Sequence, residues 1–102
     1  MIIYEVNLTI KLPIFDEYYQ WLIAHANKML AFPGFQTAEI GLIENIDDTT
    51  SKKLRVSYTI TAYHHLEDYL TNHAITMRGE AIQKFGDQFS ATRRIMTNVI
   101  II

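Results

Sequence analysis

The chain has 102 residues, of which 49% are hydrophobic and 20% are charged, and its net charge is −2. This length and composition indicate a single globular domain over residues 1–102, and no run of about 18 apolar residues is available to cross a membrane. Nine basic side chains against eleven acidic ones provide no positive surface for phosphate groups, which excludes nucleic acid as a predicted partner.

The sequence contains no cysteine. Disulfide bonds, thiolate nucleophiles and cysteine-based metal sites are therefore excluded, and a reducing compartment is favoured. The chain also enters a strand pattern at Ile2 without the basic, apolar and small-residue segments of a secretory signal. We therefore expect a cytoplasmic protein.

The first segment, Ile2 to Lys11, alternates apolar and polar residues. Side chains on a strand have period two, so the pattern predicts a strand with one buried face. The apolar row is Ile2, Tyr4, Val6, Leu8 and Ile10, and the polar row is Glu5, Asn7, Thr9 and Lys11.

A helical pattern follows from Pro13 to Ala31. Proline suits the first turn because it has no N–H to lose, and Asp16 and Glu17 lie near the positive end of the helix dipole. Pro33 and the glycine after it are expected to end the helix. The inward stripe is Phe15, Tyr18, Trp21, Leu22, His25, Ala26 and Met29.

Two more strands are predicted, from Phe35 to Asn45 and from Lys53 to Ala62. The polar cluster from Asp47 to Ser51 separates them, so they are expected to form a hairpin. The later strand has the same alternation as the first, which predicts that those two strands are neighbours. Its apolar row is Leu54, Val56, Tyr58, Ile60 and Ala62.

A second helix is predicted from His64 to Phe85, with a bend at Gly79 and an end at Gly86, and a last strand from Phe89 to Val99. Its inward residues are Leu66, Tyr69, Leu70, His73, Met77, Ala81 and Phe85. The order β-α-β-β-α-β predicts an α+β, ferredoxin-like domain, with an antiparallel four-stranded sheet and two helices on one face.

The helices leave the other sheet face uncovered, and this face is either solvated or covered by a partner. The tail Val99–Ile102 is apolar and strand-prone, and it would be an aggregation hazard if it stayed unpaired. A second copy would cover the tail and supplement a thin core. We therefore expect a homodimer.

Several segments along nearly the whole chain resemble an uncharacterised family of small bacterial proteins within the dimeric α/β-barrel superfamily. These segments are Met1 to Val6, Trp21 to Leu30, Phe32 to Phe35, Tyr69 to Arg78 and Phe85 to Arg94. The resemblance implies a dimer in which two ferredoxin-like subunits bring their sheets face to face. It implies no established reaction for the family.

More distant members of that superfamily include monooxygenases acting on polyketide-like quinols, isomerases and haem-degrading enzymes. The haem-degrading group is similar in using an Asn of the first strand with a Trp and a His of the helical part, and this chain has Asn7 and His73. It lacks a Trp in its second helix, and Asn7 falls on the polar sheet face. We therefore predict neither haem nor another cofactor.

Two histidines, His25 and His73, lie on the apolar helical stripes, and each imidazole needs a hydrogen-bond partner there. We predict that they converge on one helix–sheet cavity as proton carriers, with Tyr4 and Tyr58 orienting them and Trp21 as an apolar wall. The competing hypothesis is that each histidine is a satisfied core residue.

Arg93 and Arg94 are neighbours on a strand and therefore point to opposite faces. The inward one needs an anion, for which we expect a protein carboxylate, with an anionic ligand as the alternative. Arg93 is the predicted ligand-binding residue, but the pattern leaves open which of the two faces the helices, and the outward one is expected to pair with Glu5 or Glu39 across the dimer. No metal is predicted, because His65 and His73 lie about 12 Å apart along a helix.

The predicted function is that of a homodimer that binds a small aromatic or anionic molecule between helices and sheet, with cofactor-free monooxygenase or isomerase chemistry. The alternative is a non-catalytic structural or regulatory dimer whose polar residues satisfy one another. An enclosed cavity flanked by the histidines and an unpaired arginine favours the first hypothesis over the second.

Overall fold

Four antiparallel strands form one sheet in the order β2-β3-β1-β4 in the computed structural model, which describes residues 1–44 and 47–102. The strands are β1 Ile2–Lys11, β2 Phe35–Ile43, β3 Ser51–Ile60 and β4 Phe89–Met96. The helices are α1 Phe15–Met29, α2 Tyr63–Asn72 and α3 Ala74–Phe85. The predicted ferredoxin-like α+β fold is confirmed, except that the second crossover contains two helices.

The two inner strands pair as their shared alternation predicts. Tyr4 lies opposite Tyr58 and Leu8 lies opposite Leu54, so the apolar rows of β1 and β3 share one face. The hairpin of β2 and β3 is also confirmed. Strand ends were predicted less well: β3 begins two residues before Lys53, β4 ends before Val99, and the predicted end of β2 at Asn45 lies outside the described residues.

The first helix begins later and ends earlier than its pattern predicts. Pro13 lies in a short 3₁₀ turn, Leu12–Ile14, and the α-helix starts only at Phe15. At the other end, the amides of Leu30 and Ala31 bond to carbonyls three residues back, which tightens the chain out of the α-helix. Gly34 then follows with a φ of 82°, a conformation that glycine adopts without strain.

The second crossover is interrupted at His73, where φ is −130°. The prediction of one helix from His64 to Phe85 is therefore wrong, and so is the predicted bend at Gly79, which lies inside α3. Gly86 ends α3 with a φ of 59°, as predicted. A helical periodicity that continues across His73 does not reveal the break.

All three helices pack on the sheet face that carries the apolar rows of β1 and β3. The largest fully enclosed side chains include Tyr18 and Met29 of α1, Leu66 of α2, and Ile10 and Leu54 of the inner strands. The predicted inward stripes thus supply most of the core.

The opposite sheet face contains a buried acid. Glu5 is only 2% exposed, and its Oε1 accepts hydrogen bonds from Nε of Arg94 at 2.6 Å and from Nδ2 of Asn7 at 2.8 Å. Arg55 and Glu39 form a looser pair of 3.6 Å on the same face. This face therefore holds paired charges, whereas the tail Ile100–Ile102 is exposed.

Candidate functional site

A cavity of about 290 Å³ lies between the apolar face of the sheet and the helices. Its size is close to the lower end for pockets that enclose small organic ligands. Side chains of α1, α3 and the strands β1, β3 and β4 contribute most of its wall. The lining residues are Tyr4, Val6, Leu8, Tyr18, Trp21, Leu22, His25, Met29, Val56, Tyr58, Tyr69, Met77, Arg78, Ala81, Ile82, Gly86, Phe89, Ser90, Ala91 and Arg93.

Five of the six residues predicted for the site line this cavity. They are Tyr4 on β1, Trp21 and His25 on α1, Tyr58 on β3 and Arg93 on β4. They come together because α1 crosses the face to which the apolar rows of the inner strands point. The structure thus brings these five side chains to one half-open cavity.

His73 lies outside the cavity, so the expectation that the two histidines converge is wrong. Its imidazole packs on Phe32 at a ring separation of 4.7 Å, and its Nε2 is 3.9 Å from Oδ2 of Asp68. With 43% of its side chain exposed, His73 occupies a surface position. The break between α2 and α3 at His73 takes this residue out of the stripe that the periodicity assigned to it.

The register of β4 assigns the two arginines to opposite faces. Arg93 pairs with Val6 on the helix side, and Arg94 pairs with Glu5 on the outer side. The carboxylate expected for the inward arginine is not there: among the described residues, Arg93 forms no ion pair, and because this residue is exposed, water can solvate its charge. The outward arginine, Arg94, pairs with Glu5 within one subunit, and a pairing across a dimer stays a prediction.

His25 is held between an aromatic ring and a carboxylate. Its ring stacks on Trp21 at 4.6 Å with an interplanar angle of 23°, and its Nδ1 lies 3.6 Å from Oε2 of Glu80. That distance exceeds a hydrogen bond, and Nδ1 is buried without a hydrogen-bond partner in the described part of the chain. The polar contact of His25 is thus with Glu80, and not with the predicted Tyr4 or Tyr58.

Burial lowers the pKa of His25 below its usual value of 6.5, and the nearby Glu80 carboxylate offsets part of this effect. Lys28 and Arg93 act in the same direction as burial because their positive charges disfavour an imidazolium. His25 is therefore a neutral base at neutral pH. A neutral imidazole facing a cavity can accept a proton from a bound molecule.

Tyr4 makes the polar contact that the sequence did not predict. Its hydroxyl oxygen accepts a hydrogen bond of 2.9 Å from Nη2 of Arg78, which reaches across from α3. Since Arg78 occupies one lone pair of this oxygen, the Tyr4 proton is free to be donated. The Nε of Arg78 is buried, and within residues 1–44 and 47–102 it has no partner.

Three more phenols complete the wall: Tyr18, Tyr58 and Tyr69. Burial raises the pKa of Tyr69 to about 12 and raises the pKa of Tyr18 and Tyr58 further still. Their hydroxyls form no hydrogen bond to the described residues, and all three residues line the cavity. They remain protonated and are available as hydrogen-bond donors to a bound oxygen atom.

Sequence reasoning did not identify Arg78 and Glu80. Both lie on α3 beside the inward positions Met77 and Ala81, at the edge of the apolar stripe. A signal was present: Arg78 is four residues after Ala74 and four before Ile82, which places it on a side of the helix with apolar neighbours. If α3 had been predicted as a separate helix, the side that carries Arg78 could have been identified as facing the sheet.

The described residues contain no group of three or more His, Asp or Glu side chains close enough to hold a metal ion. In the same part of the chain, no helix is both long and apolar enough to span a membrane.

Solved structures with this fold differ widely in what they are. A provisionally named antibiotic biosynthesis monooxygenase from Deinococcus radiodurans matches with a TM-score of 0.69 at 14% identity, covering 100% of this chain and 98% of its own. SnoaB, a cofactor-independent oxygenase from Streptomyces nogalater, matches at 0.64 and 13% identity, covering 99% and 96%.

The de novo designed protein Foldit4 also matches, with a TM-score of 0.61 at 10% identity, covering 96% of this chain and 98% of its own. At such low identities these likenesses establish the fold, and the presence of a designed protein among them shows that the fold alone does not carry an activity.

No protein with a curated description matches the sequence. A family model does match, and it covers residues 1–99. This chain therefore belongs to the family described as a domain of unknown function, DUF4286.

Proposed function

We propose that this protein is a cytoplasmic homodimer that binds a small aromatic molecule carrying an anionic or acidic oxygen, and that His25 accepts a proton from the bound molecule. The observation that carries the proposal is the cavity, in which a neutral histidine and two arginines lie among aromatic and aliphatic walls. Such a combination of an apolar wall with a few polar groups is typical of small-molecule sites.

Each polar group has a distinct role. The aromatic walls around Trp21 and Tyr58 receive the planar part of the ligand. Arg93, which has no carboxylate partner among the described residues, holds its negative oxygen. Tyr4, polarised by Arg78, donates its proton to a second oxygen. Because Arg93 is exposed, its lack of a carboxylate partner alone does not require a ligand; the proposal is favoured over a non-catalytic dimer by the cavity that Arg93 lines together with His25 and Tyr4.

A proton taken by His25 leaves an electron-rich ligand anion, and two reactions follow from such an anion. With dioxygen as co-reactant, a CH₂ group becomes a carbonyl group: one oxygen atom enters the product, and the other leaves as water together with both hydrogens. Without dioxygen, return of the proton to another carbon isomerises the ligand. The structural likeness to SnoaB, named a cofactor-independent oxygenase, supports the first reaction.

The homodimer is supported by the outer sheet face and the tail. That face presents two acid–arginine pairs, Glu5–Arg94 and Glu39–Arg55, while Ile100 and Ile101 are each 81% exposed. A second copy would cover both the sheet and these isoleucines.

A thermal-shift experiment with two probes tests the ligand proposal. The probes are 1-hydroxy-2-naphthoate and its uncharged counterpart 1-naphthol, and the variants are Arg93→Met and Arg94→Met, which lie on opposite faces of β4. We expect the naphthoate to raise the melting temperature of the wild type and of Arg94→Met but not of Arg93→Met. The smaller shift with naphthol should be the same in all three proteins.

The proposal fails if neither probe shifts the wild type, or if both arginine variants lose the naphthoate shift equally. Either result would favour the non-catalytic dimer. If binding is confirmed, incubation with an aromatic CH₂ compound under ¹⁸O₂ separates the two reactions, because only oxygenation transfers the label to the product.

A further inference from the structure

A charged relay on the outer side of His25 joins α1 to α3. Nζ of Lys28 lies 2.8 Å from Oε1 of Glu80, and the other oxygen of that carboxylate faces Nδ1 of His25 at 3.6 Å. Lys28 is 57% exposed, Glu80 is 34% exposed, and the side chain of His25 is 14% exposed. The relay thus runs from solvent to the edge of the cavity.

We propose that Glu80, anchored by Lys28, is a positioning residue that fixes the proton of neutral His25 on Nδ1, so that Nε2 offers its lone pair to the cavity. This inference rests on the proposed role of His25 as a proton carrier. It explains why a buried ring nitrogen without a hydrogen-bond partner is tolerated: a carboxylate oxygen is already directed at it.

The separation of 3.6 Å suits a contact that tightens during a reaction. Catalytic hydrogen bonds are often long in a protein without ligand and shorten when a substrate binds. When Nε2 accepts a proton, His25 becomes positive, and the nearby carboxylate stabilises that charge. The stacked Trp21 keeps the ring plane fixed meanwhile.

The other charges around His25 oppose the imidazolium. Lys28 on α1 and Arg93 on β4 both disfavour it, and Glu80 is the one acidic group that favours it among the described neighbours. Removing Glu80 and removing Lys28 should therefore move the His25 titration in opposite directions. A role of these residues in folding alone predicts no such opposition.

The test is NMR of the full chain with ¹⁵N-labelled histidine and no ligand, comparing wild type with Glu80→Gln and Lys28→Met. The His25 signals are assigned as those that disappear in His25→Gln. Glu17 and Lys84 form another link between α1 and α3, at 3.7 Å, and do not contact His25. Glu17→Gln and Lys84→Met are therefore the matched controls.

We expect the Nδ1–H tautomer in the wild type and in both controls. In Glu80→Gln the proton should move to Nε2 and the pKa of His25 should fall, whereas in Lys28→Met the pKa should rise. A wild-type Nε2–H tautomer would overturn the proposal, as would equal pKa values in Glu80→Gln and Glu17→Gln. If Glu80→Gln does not fold, the wild-type tautomer and the pKa of His25 in Lys28→Met still test the proposal.

These measurements are independent of ligand binding. An Nδ1–H tautomer that depends on Glu80 supports the relay even if neither naphthalene probe shifts the melting temperature. Conversely, probe binding that requires Arg93 supports the proposed function even if the tautomer does not depend on Glu80, and that second finding overturns the relay.

Discussion

Nη2 of Arg78 lies 2.9 Å from the hydroxyl oxygen of Tyr4, which joins helix α3 to the inner strand β1 across the cavity. Removing either partner leaves the other without its bond in a largely buried place. We expect Arg78→Met and Tyr4→Phe each to lower the free energy of unfolding by about 1 to 2 kcal/mol. The double variant should lose less than the sum, as measured by urea denaturation.

Lys84→Met is the control for this pair, because Lys84 forms an exposed contact with Glu17 and should change stability by less than about 0.5 kcal/mol. If the losses in Arg78→Met and Tyr4→Phe simply add, the hydrogen bond does not connect the two elements energetically.

Acid should destabilise the protein through Glu5. The hydrogen bond from Arg94, helped by that from Asn7, holds the pKa of Glu5 below its usual value of 4.5, although burial opposes this. A carboxyl whose folded pKa is lowered contributes stability that is complete above its unfolded pKa and is lost as the pH falls through the folded pKa. The free energy of unfolding should therefore decrease below about pH 4.5.

Arg94→Met should flatten that decrease, and Lys84→Met should not. The acid profile of each variant is subtracted from that of the wild type, because Glu80 also titrates in this pH range. Lys28 lowers the pKa of Glu80 in the same way. Parallel acid profiles for Arg94→Met and the wild type would show that Glu5 does not carry the effect.

Two glycines should respond to alanine with opposite signs. At Gly34, φ is 82° and a Cβ would collide with the ring of His65, so Gly34→Ala should lower the free energy of unfolding by about 2 kcal/mol or more. At Gly79, inside α3, a Cβ meets no atom within 4 Å, and Gly79→Ala should raise it by about 0.5 to 1 kcal/mol. Thermal unfolding measures the change in stability of each variant, and two changes of the same sign would contradict the expectation.

The outer sheet face should control dimer formation. Ser57 lies between Glu5 and Glu39 in the register, so an arginine there meets two carboxylates and fits one subunit, but it obstructs a face-to-face partner. We expect Ser57→Arg to be a folded monomer by light scattering and circular dichroism. Thr76→Arg, on the exposed side of α3, should remain dimeric. A wild-type monomer would refute the proposed homodimer.

Removing the tail should weaken the dimer without destabilising the folded subunit. The amide of Val99 donates a hydrogen bond to the carbonyl oxygen of Met1, which holds the start of the tail against the N-terminus. The isoleucines beyond Val99 are exposed. A chain ending at Val99 should therefore dissociate more readily in a dilution series, since each buried isoleucine is worth about 2 kcal/mol. Unchanged dissociation would mean that the tail lies outside the interface.

Local pattern predicted the sheet and the apolar face of its inner strands because period two is decided by neighbouring residues such as Tyr4 and Glu5, but it left the register of β4 open. It failed at His73 because a periodicity of about 3.6 residues continues through the interruption. Strand parity predicted that one of Arg93 and Arg94 faces the helices, and only the register of β4 in the structure shows that it is Arg93. Glu80 was not predicted, since its partner His25 is 55 residues away and only the tertiary structure joins them.

The interruption at His73 and the turn at Gly86 mark the two ends of α3 in the second crossover. The short helix between them supplies Met77, Arg78, Ala81 and Ile82 to the cavity, while Leu66 of the preceding helix anchors the core. The same helix also contributes Ala74, Met77 and Phe85 to the core, so recognition and foldability share this stretch of chain. A mutant library meant to alter which molecules are accepted should therefore vary Ile82, which lines the cavity and is exposed, and keep those three core residues.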